Sequence, residues 1–265
     1  MGWAAAAAAA AAAIAISISI SMVAPVNAAA DDQALLDAAM ESFNERMIDA
    51  GWVSQGPSDD AFESDGEEPS KDDEAINDCF GDLGAIFEGL DEDEFPGEIA
   101  RSSSDRFTFT PLGAESSTTE STMFFPEEEE VTALAMSVDD ANEGLIGEFL
   151  DVLGAKETSD CMKAAIEAEM AADPDDTDAI DIALEFDVQA ATQGDLGVGD
   201  HSALLTFGIS MNMFGAPIDI AGTMAFASVD NHLVGVMHST SGATEPTSGF
   251  DVIDELRALV DSISS

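Results

Sequence analysis

Cations are what this chain lacks. Lys and Arg together number 7 in 265 residues, against 55 Asp and Glu, giving a formal charge of −48. Nucleic acids and anionic lipid surfaces are held by cationic side chains, so this surface repels both. It suits solubility, loose binding of divalent cations, and a salt-rich medium whose counterions screen the self-repulsion. Imidazoles are also scarce: His201, His232 and His238 are the full set of 3. Cysteine occurs at only 2 positions, Cys79 and Cys161. Their spacing suits no zinc site and forms no Cys-x-x-Cys redox pair. There is no Gly-x-x-x-x-Gly-Lys phosphate loop, and no Gly-x-Ser-x-Gly elbow surrounds Ser239 or Ser241.

At the N-terminus an uncharged run from Ala4 to Ala24 precedes Pro25 and the small-residue sites Val26-Asn27-Ala28 and Ala28-Ala29-Ala30. This is the apolar region and cleavage pattern of a secretory signal peptide over residues 1–30, although no Lys or Arg precedes the run. The alternative is an uncleaved N-terminal anchor, since the run is just long enough to span a bilayer. Either places residues 31–265, read as one domain, in a secreted or extracytoplasmic setting. No Cys follows the run, so a bacterial lipid anchor is not indicated.

Apolar periodicity predicts a helix over 33–50, with Asp31 or Asp32 as cap and Gly51 as stop. Residues 56–73 are acidic with Gly and Pro, and read as a solvated linker. A helix over 73–88 carries Cys79 inward, and another over 159–172 carries Cys161 inward. "DRFTFTP" and "VTALAMSV" alternate as strands. Asp139-Asp140 opens a helix through Leu153. Four strands follow, over "AIDIALEFDVQ", "SALLTFGISMNM", "PIDIAGTMAFASV" and "HLVGVMHST", and then a last helix over 250–263. The fold class is α+β, an antiparallel sheet with a C-terminal β-meander packed against helices, one sheet face wet.

The histidines are candidate metal or catalytic groups. His232 and His238 lie about 20 Å apart along one strand, too far for one ion. A two-residue turn at Asp230-Asn231 sets His232 opposite Val229, Leu233 opposite Ser228 and His238 opposite Thr223. The preceding hairpin sets His201 near Ser228. Parity puts His201 on the core face and the other two on the opposite face, as solvent-facing strand residues. Glu127 to Glu130 reads as a solvated loop with loose affinity for Ca²⁺. "DPDDT", Asp173 to Thr177, lacks both the apolar strand of a phosphoryl-transfer motif and the Gly of a calcium loop. Met211, Met213, Met224 and Met237 read as core packing, or as the lining of a pliable apolar pocket. In an exported chain two cysteines point to a bridge, with two separately buried thiols as the alternative. A bridge would be worth about 4 kcal/mol by loop entropy.

"DAGWVSQGP", "NDCFGDL", "VTALAMSVDDANEGLIGEFLDVL", "TSDCMKAAIEAEM", "VGDHSALLTFGISM" and "PIDIAGTMAFASVDNHLVGVMHSTSG" stand in that order. Together with the last helix they resemble a group of secreted or membrane-tethered actinobacterial proteins. These are similar to the extracytoplasmic sensor domains of serine/threonine kinases and to related lipoproteins, and the likeness spans residues 40–263. The resemblance implies an α+β sandwich, of which a PsbP-like arrangement is one form. It also implies a Cys79–Cys161 bridge and a ligand- or partner-sensing role.

The expected function is therefore an exported, non-enzymatic sensing or binding domain of the cell envelope. It has no assigned catalytic residue, metal ligand or cofactor, and its partner is a small ligand or an envelope protein. Alternatives are a structural or adhesion module bridged by divalent ions, and a secreted hydrolase or metal enzyme whose acids and histidines meet only in three dimensions. Intact mass of the exported protein is expected to place its first residue at Ala29 or Asp31. A mass that retains Met1 to Ala28 would identify the uncleaved anchor.

Overall fold

The computed structural model describes residues 29–58, 78–81, 83, 95–110, 128–172, 180–191, 196–213, 216–241 and 248–264. The leader, most of the acidic linker, the "DPDDT" motif and the loop over 115–121 lie outside the described residues.

In chain order the elements are α1 (Ala29–Asp49), β1 (Val53–Pro57), a 3-10 turn (Asp78–Phe80), β2 (Glu98–Ser103), β3 (Asp105–Phe109) and β4 (Glu128–Val138). They continue with α2 (Glu143–Leu153), α3 (Lys156–Ala172), β5 (Ile180–Ala191), β6 (His201–Met213), β7 (Ala216–Val229), β8 (His232–Ser241) and α4 (Val252–Ile263). The strands form one antiparallel sheet in the order β1-β3-β4-β8-β7-β6-β5, with β2 beside β3 on the same edge of β4. The α+β class and the closing meander are as the sequence indicates. So is the register: His232 faces Val229, His238 faces Thr223 and His201 faces Ser228.

The expectation of one wet face is overturned. One face packs Leu36, Phe43 and Met47 of α1 and Leu256, Leu259 and Ile263 of α4 against Val131, Ala133, Ala135, Ala225, Ala227, Val234 and Val236. The other packs Ile146, Phe149 and Leu150 of α2 against Met136, Val138, Leu205, Met224, Phe226 and Leu233. The physical reason lies in β8 and in β4 from Val131 onward, where neither parity carries the acids that would mark a solvated face. Alanines at 133, 135, 225 and 227 let α1 and α4 approach closely. The interface between the sheet and the last helix, where an apolar binding cleft was expected, is occupied by these packed side chains.

Local chemistry moves several boundaries. α1 begins ahead of Asp31 and Asp32, which stand in its first turn and favour the positive end of the helix dipole rather than capping it. Its end is a Schellman motif: Trp52 N–H donates to Met47 O and Gly51 N–H to Ile48 O, both at 3.0 Å. Gly51 takes φ 92°, a left-handed conformation that glycine alone adopts without strain. The motif turns Trp52 into the core. β1 then takes Gly56 and Pro57 out of the expected linker. α2 starts at Glu143, because Asp139 Oδ1 instead accepts from Ala141 N, Asn142 N and Asn142 Nδ2 in the preceding turn. At α4 the N-cap is Asp251, accepting from Ile253 N and Asp254 N.

Cys79 and Cys161 are joined, their Cα atoms 5.6 Å apart. Neither lies as expected. Cys79 belongs to the 3-10 turn, and Cys161 is exposed on α3. The bridge draws the 78–83 segment onto the α2 face, where Phe80 stacks on Phe149 with ring centroids 6.1 Å apart. Because it closes a long loop, reduction is expected to cost about 4 kcal/mol in stability, measured by urea denaturation with and without reductant. Unreduced protein is expected to show no alkylatable thiol.

Candidate functional site

Among the described residues, buried acids and imidazoles converge once, at the end of β4 and β8 that lies under the loop leading into α4. β4 begins at Glu128, and alternation from Ala133 and Val131 carries Glu129 onto the α1/α4 face. Alternation from Val234 and Val236 carries His238 onto the same face of β8. Val131 pairs with His238, so the two polar side chains meet one step apart on adjacent strands.

His238 Nε2 lies 3.0 Å from Glu129 Oε2, with 5% and 3% of the two side chains exposed. A carboxylate only accepts, so the ring carries its hydrogen on Nε2. Ser248 completes the array. Its N–H donates to Glu129 Oε1 at 2.8 Å, and its hydroxyl donates to Glu129 Oε2 at 2.5 Å. The Ser248 oxygen in turn accepts from Phe250 N at 3.2 Å. Aromatic rings seal the cluster. Trp52 meets His238 edge-on at 6.1 Å, Phe250 meets it at 5.1 Å, and Phe109 packs against Trp52 at 5.4 Å.

Burial holds the His238 imidazole below its ordinary value, while the hydrogen bond and the charge of Glu129 pull it back toward that value. On the opposite face of β4, burial pushes the Glu130 carboxyl above its usual range. Arg106 opposes that rise and Glu128 adds to it.

This corrects two expectations. His238 and His232 do share the face opposite His201, but that face is covered: they are 4% and 9% exposed. The run at Glu127–Glu130 is not simply a solvated loop, because Glu128 to Glu130 open a strand and Glu129 is 2% exposed. His232 stays apart from the cluster. Among the described residues neither of its ring nitrogens has a hydrogen-bond partner, and the Ser137 hydroxyl opposite it on β4 has none either. His201 stands on the other face over Gly147 of α2, where a Cβ would fall 2.9 Å from its Nε2. Its Nδ1 lies 3.2 Å from Asp151 Oδ1 in an exposed contact. Ser239 and Ser241 alternate away from His238. Met224 is buried in the α2-side core and Met237 packs against it; the side chains of Met211 and Met213 lie outside the described residues. Among the described residues no three His, Cys, Asp or Glu side chains are placed to hold a metal ion.

Nucleophilic triads put the imidazole between hydroxyl and acid, so that it can take the hydroxyl proton. Here the carboxylate is in the middle. Ser248 gives its hydrogen to Glu129, and the imidazole bonds separately to the same oxygen. The array ties a loop to the sheet, and its order differs from that of a nucleophilic triad. Ser248 and Phe250 were not singled out from the sequence, and Glu129 was read only as one of a solvated acidic run. A signal for Glu129 was present, since it falls on the apolar parity of β4.

No protein-family model and no curated protein matches the chain. A solved structure does: the X-ray structure of an uncharacterised protein from Mycobacterium smegmatis. It is 12% identical, with 71% of this chain and 95% of that one covered, at a TM-score of 0.23. A superposition that loose carries no inference about fold or function. No helix among the described residues is long and apolar enough to cross a membrane.

Breaking a buried acid–imidazole pair strands the surviving group. Glu129→Leu and His238→Leu are each expected to lower unfolding free energy by about 3–5 kcal/mol. The double variant is expected to lose less than the sum, and Ser248→Ala about 1–3 kcal/mol. Urea denaturation of the four variants checks this.

Proposed function

We propose that this protein is an exported, non-catalytic sensing or binding domain of the cell envelope. The observation that carries the reading is the order Ser248–Glu129–His238. The one buried acid–imidazole cluster among the described residues spends its carboxylate on holding the loop before α4, in a sealed aromatic setting. An export-type leader, the Cys79–Cys161 bridge and the absence of a membrane-crossing helix among the described residues fit an extracytoplasmic setting. The likeness to sensor domains of actinobacterial kinases supports the same role. A small ligand or an envelope protein is the expected partner, at a surface other than the filled interface between the sheet and α4. The acidic surface argues against nucleic acid or anionic membrane as partners.

Thermal shift of the full chain against envelope lipids, glycans and candidate partner proteins tests the reading. A ligand at a hundred times its Kd is expected to stabilise by about 2.7 kcal/mol. The absence of any stabilising compound, together with hydrolysis of ester, peptide or glycosidic reporters that fails in His238→Gln, would overturn it. A second reading rests on the charge of −48. As an adhesion module bridged by divalent ions, the protein would self-associate on adding Ca²⁺ and disperse with chelator; indifference to both discards that reading.

A further inference from the structure

We propose that the outer edge of β5 is a docking site for an extended, cationic segment of another protein, which adds to the sheet as a further strand. This deepens the reading as a binding domain, on which it rests, by naming a surface and the chemistry of its partner.

A terminal strand turns the N–H and C=O groups of alternate residues outward, and unless these are blunted they pair with a strand that arrives. On the far side of β4 both terminal strands are blunted. β1 has only 5 residues, its register slips between Ser54 and Pro57, and Pro57 has no N–H to give. β2 is capped by a side chain that imitates a strand: Gln33 Nε2 donates to Arg101 O at 2.6 Å, and Arg101 N–H donates to Gln33 Oε1 at 3.3 Å. β5 has neither device. It runs for 12 residues, and each from Ile180 to Ala191 pairs with β6 in unbroken register, so no bulge twists the edge away. Its sequence holds no Pro, Gly, Lys or Arg. Among the described residues no strand lies beyond it. The Cys79–Cys161 bridge holds α3 on the α2 side of the sheet, so that helix approaches a face of β5.

The occupant follows from charge. Asp181, Glu185 and Asp187 stand at odd positions of β5, and apolar residues alternate with them from Ile180 to Val188. A second copy is a poor fit. Antiparallel self-pairing that keeps the two parities apart, centred anywhere from Ala183 to Phe186, sets an acid opposite an acid: Asp181 against Glu185, Asp181 against Asp187, Glu185 against itself, or Glu185 against Asp187. Like charges directly opposite destabilise a strand pair, and each copy brings a formal charge of −48 to the encounter. A strand that alternates Lys or Arg with apolar residues meets both parities, with cations opposite the acids and apolar side chains continuing the even positions. Its backbone bonds supply affinity, and the alternation supplies specificity.

Fluorescence anisotropy of the full chain with labelled peptides of about ten residues reads the site. One peptide alternates Lys with Val, and a second has the same composition with its lysines in one block. The alternating peptide is expected to bind about tenfold tighter, because attraction to the acidic surface alone would not tell the two apart. Two further versions of it carry N-methyl groups on the Lys amides or on the Val amides, which lie on opposite edges of an added strand. One is expected to lose binding and the other to keep it, since only one edge bonds to β5. Amides of β5 are expected to gain protection from hydrogen exchange in the complex. Equal binding of the alternating and block peptides would overturn the proposal, as would equal effects of the two methylated sets. A free protein that sediments as a dimer, with its β5 amides already protected, would overturn it by placing a second copy on the edge. Failure here leaves the thermal-shift search for a small ligand standing, so the two readings fall separately.

Discussion

β4 and β8 lie side by side at the centre of the sheet and, past the acids that open β4, are largely apolar on both faces. In water each would expose two hydrophobic surfaces, so the chain must supply a cover for each. The first and last helices, separated by most of the sequence, meet on one side. α2 joins Phe80, Leu83 and Phe95 on the other. The small residues on the α1/α4 side and the larger ones on the α2 side follow from this division. One face accepts two helices at close range, and the other fills a deeper gap with rings and Met side chains.

The polar cluster at Glu129 is a consequence of the same constraint. Once the α1/α4 face is closed, any polar side chain on that parity must find partners inside or leave its hydrogen bonds unmade. Glu129 and His238 find each other and Ser248. His232, at the opposite end of β8, finds none among the described residues. One strand thus carries a satisfied and an unsatisfied imidazole on one face, which divides its two ends into a bonded anchor and a site of uncompensated burial. The Schellman turn at Gly51 contributes to the satisfied end by delivering Trp52 as one wall of the cage.

Charge acts elsewhere. With 55 acids against 7 strong cations, few carboxylates can be paired, and the described ion pairs of Arg46, Arg101, Lys156 and Arg257 are mostly short-range or exposed. Such pairs add little to stability. Cohesion comes from the two apolar layers and one covalent bridge.

The four-strand meander, its register and the C-terminal end of α4 were legible from residue order, because alternation and a two-residue turn are local properties. The α+β class followed from them. Parity correctly separated His201 from His232 and His238. What parity could not say was which faces are covered, because that depends on helices remote in sequence. "VTALAMSV" and "HLVGVMH" carried the hint, being apolar at both parities. β1 and β2 escaped notice because they are short, and β1 ends inside a stretch that reads as linker. Glu129 read as solvated because its neighbours are acids; it is buried because β4 begins early enough to place it beneath the loop before α4. Local sequence determined strand, turn and register, since those depend on neighbours a few residues apart. Only tertiary contact decided that His238 would be buried against a carboxylate and a serine more than a hundred residues from that carboxylate, since burial depends on what folds over a face from elsewhere in the chain.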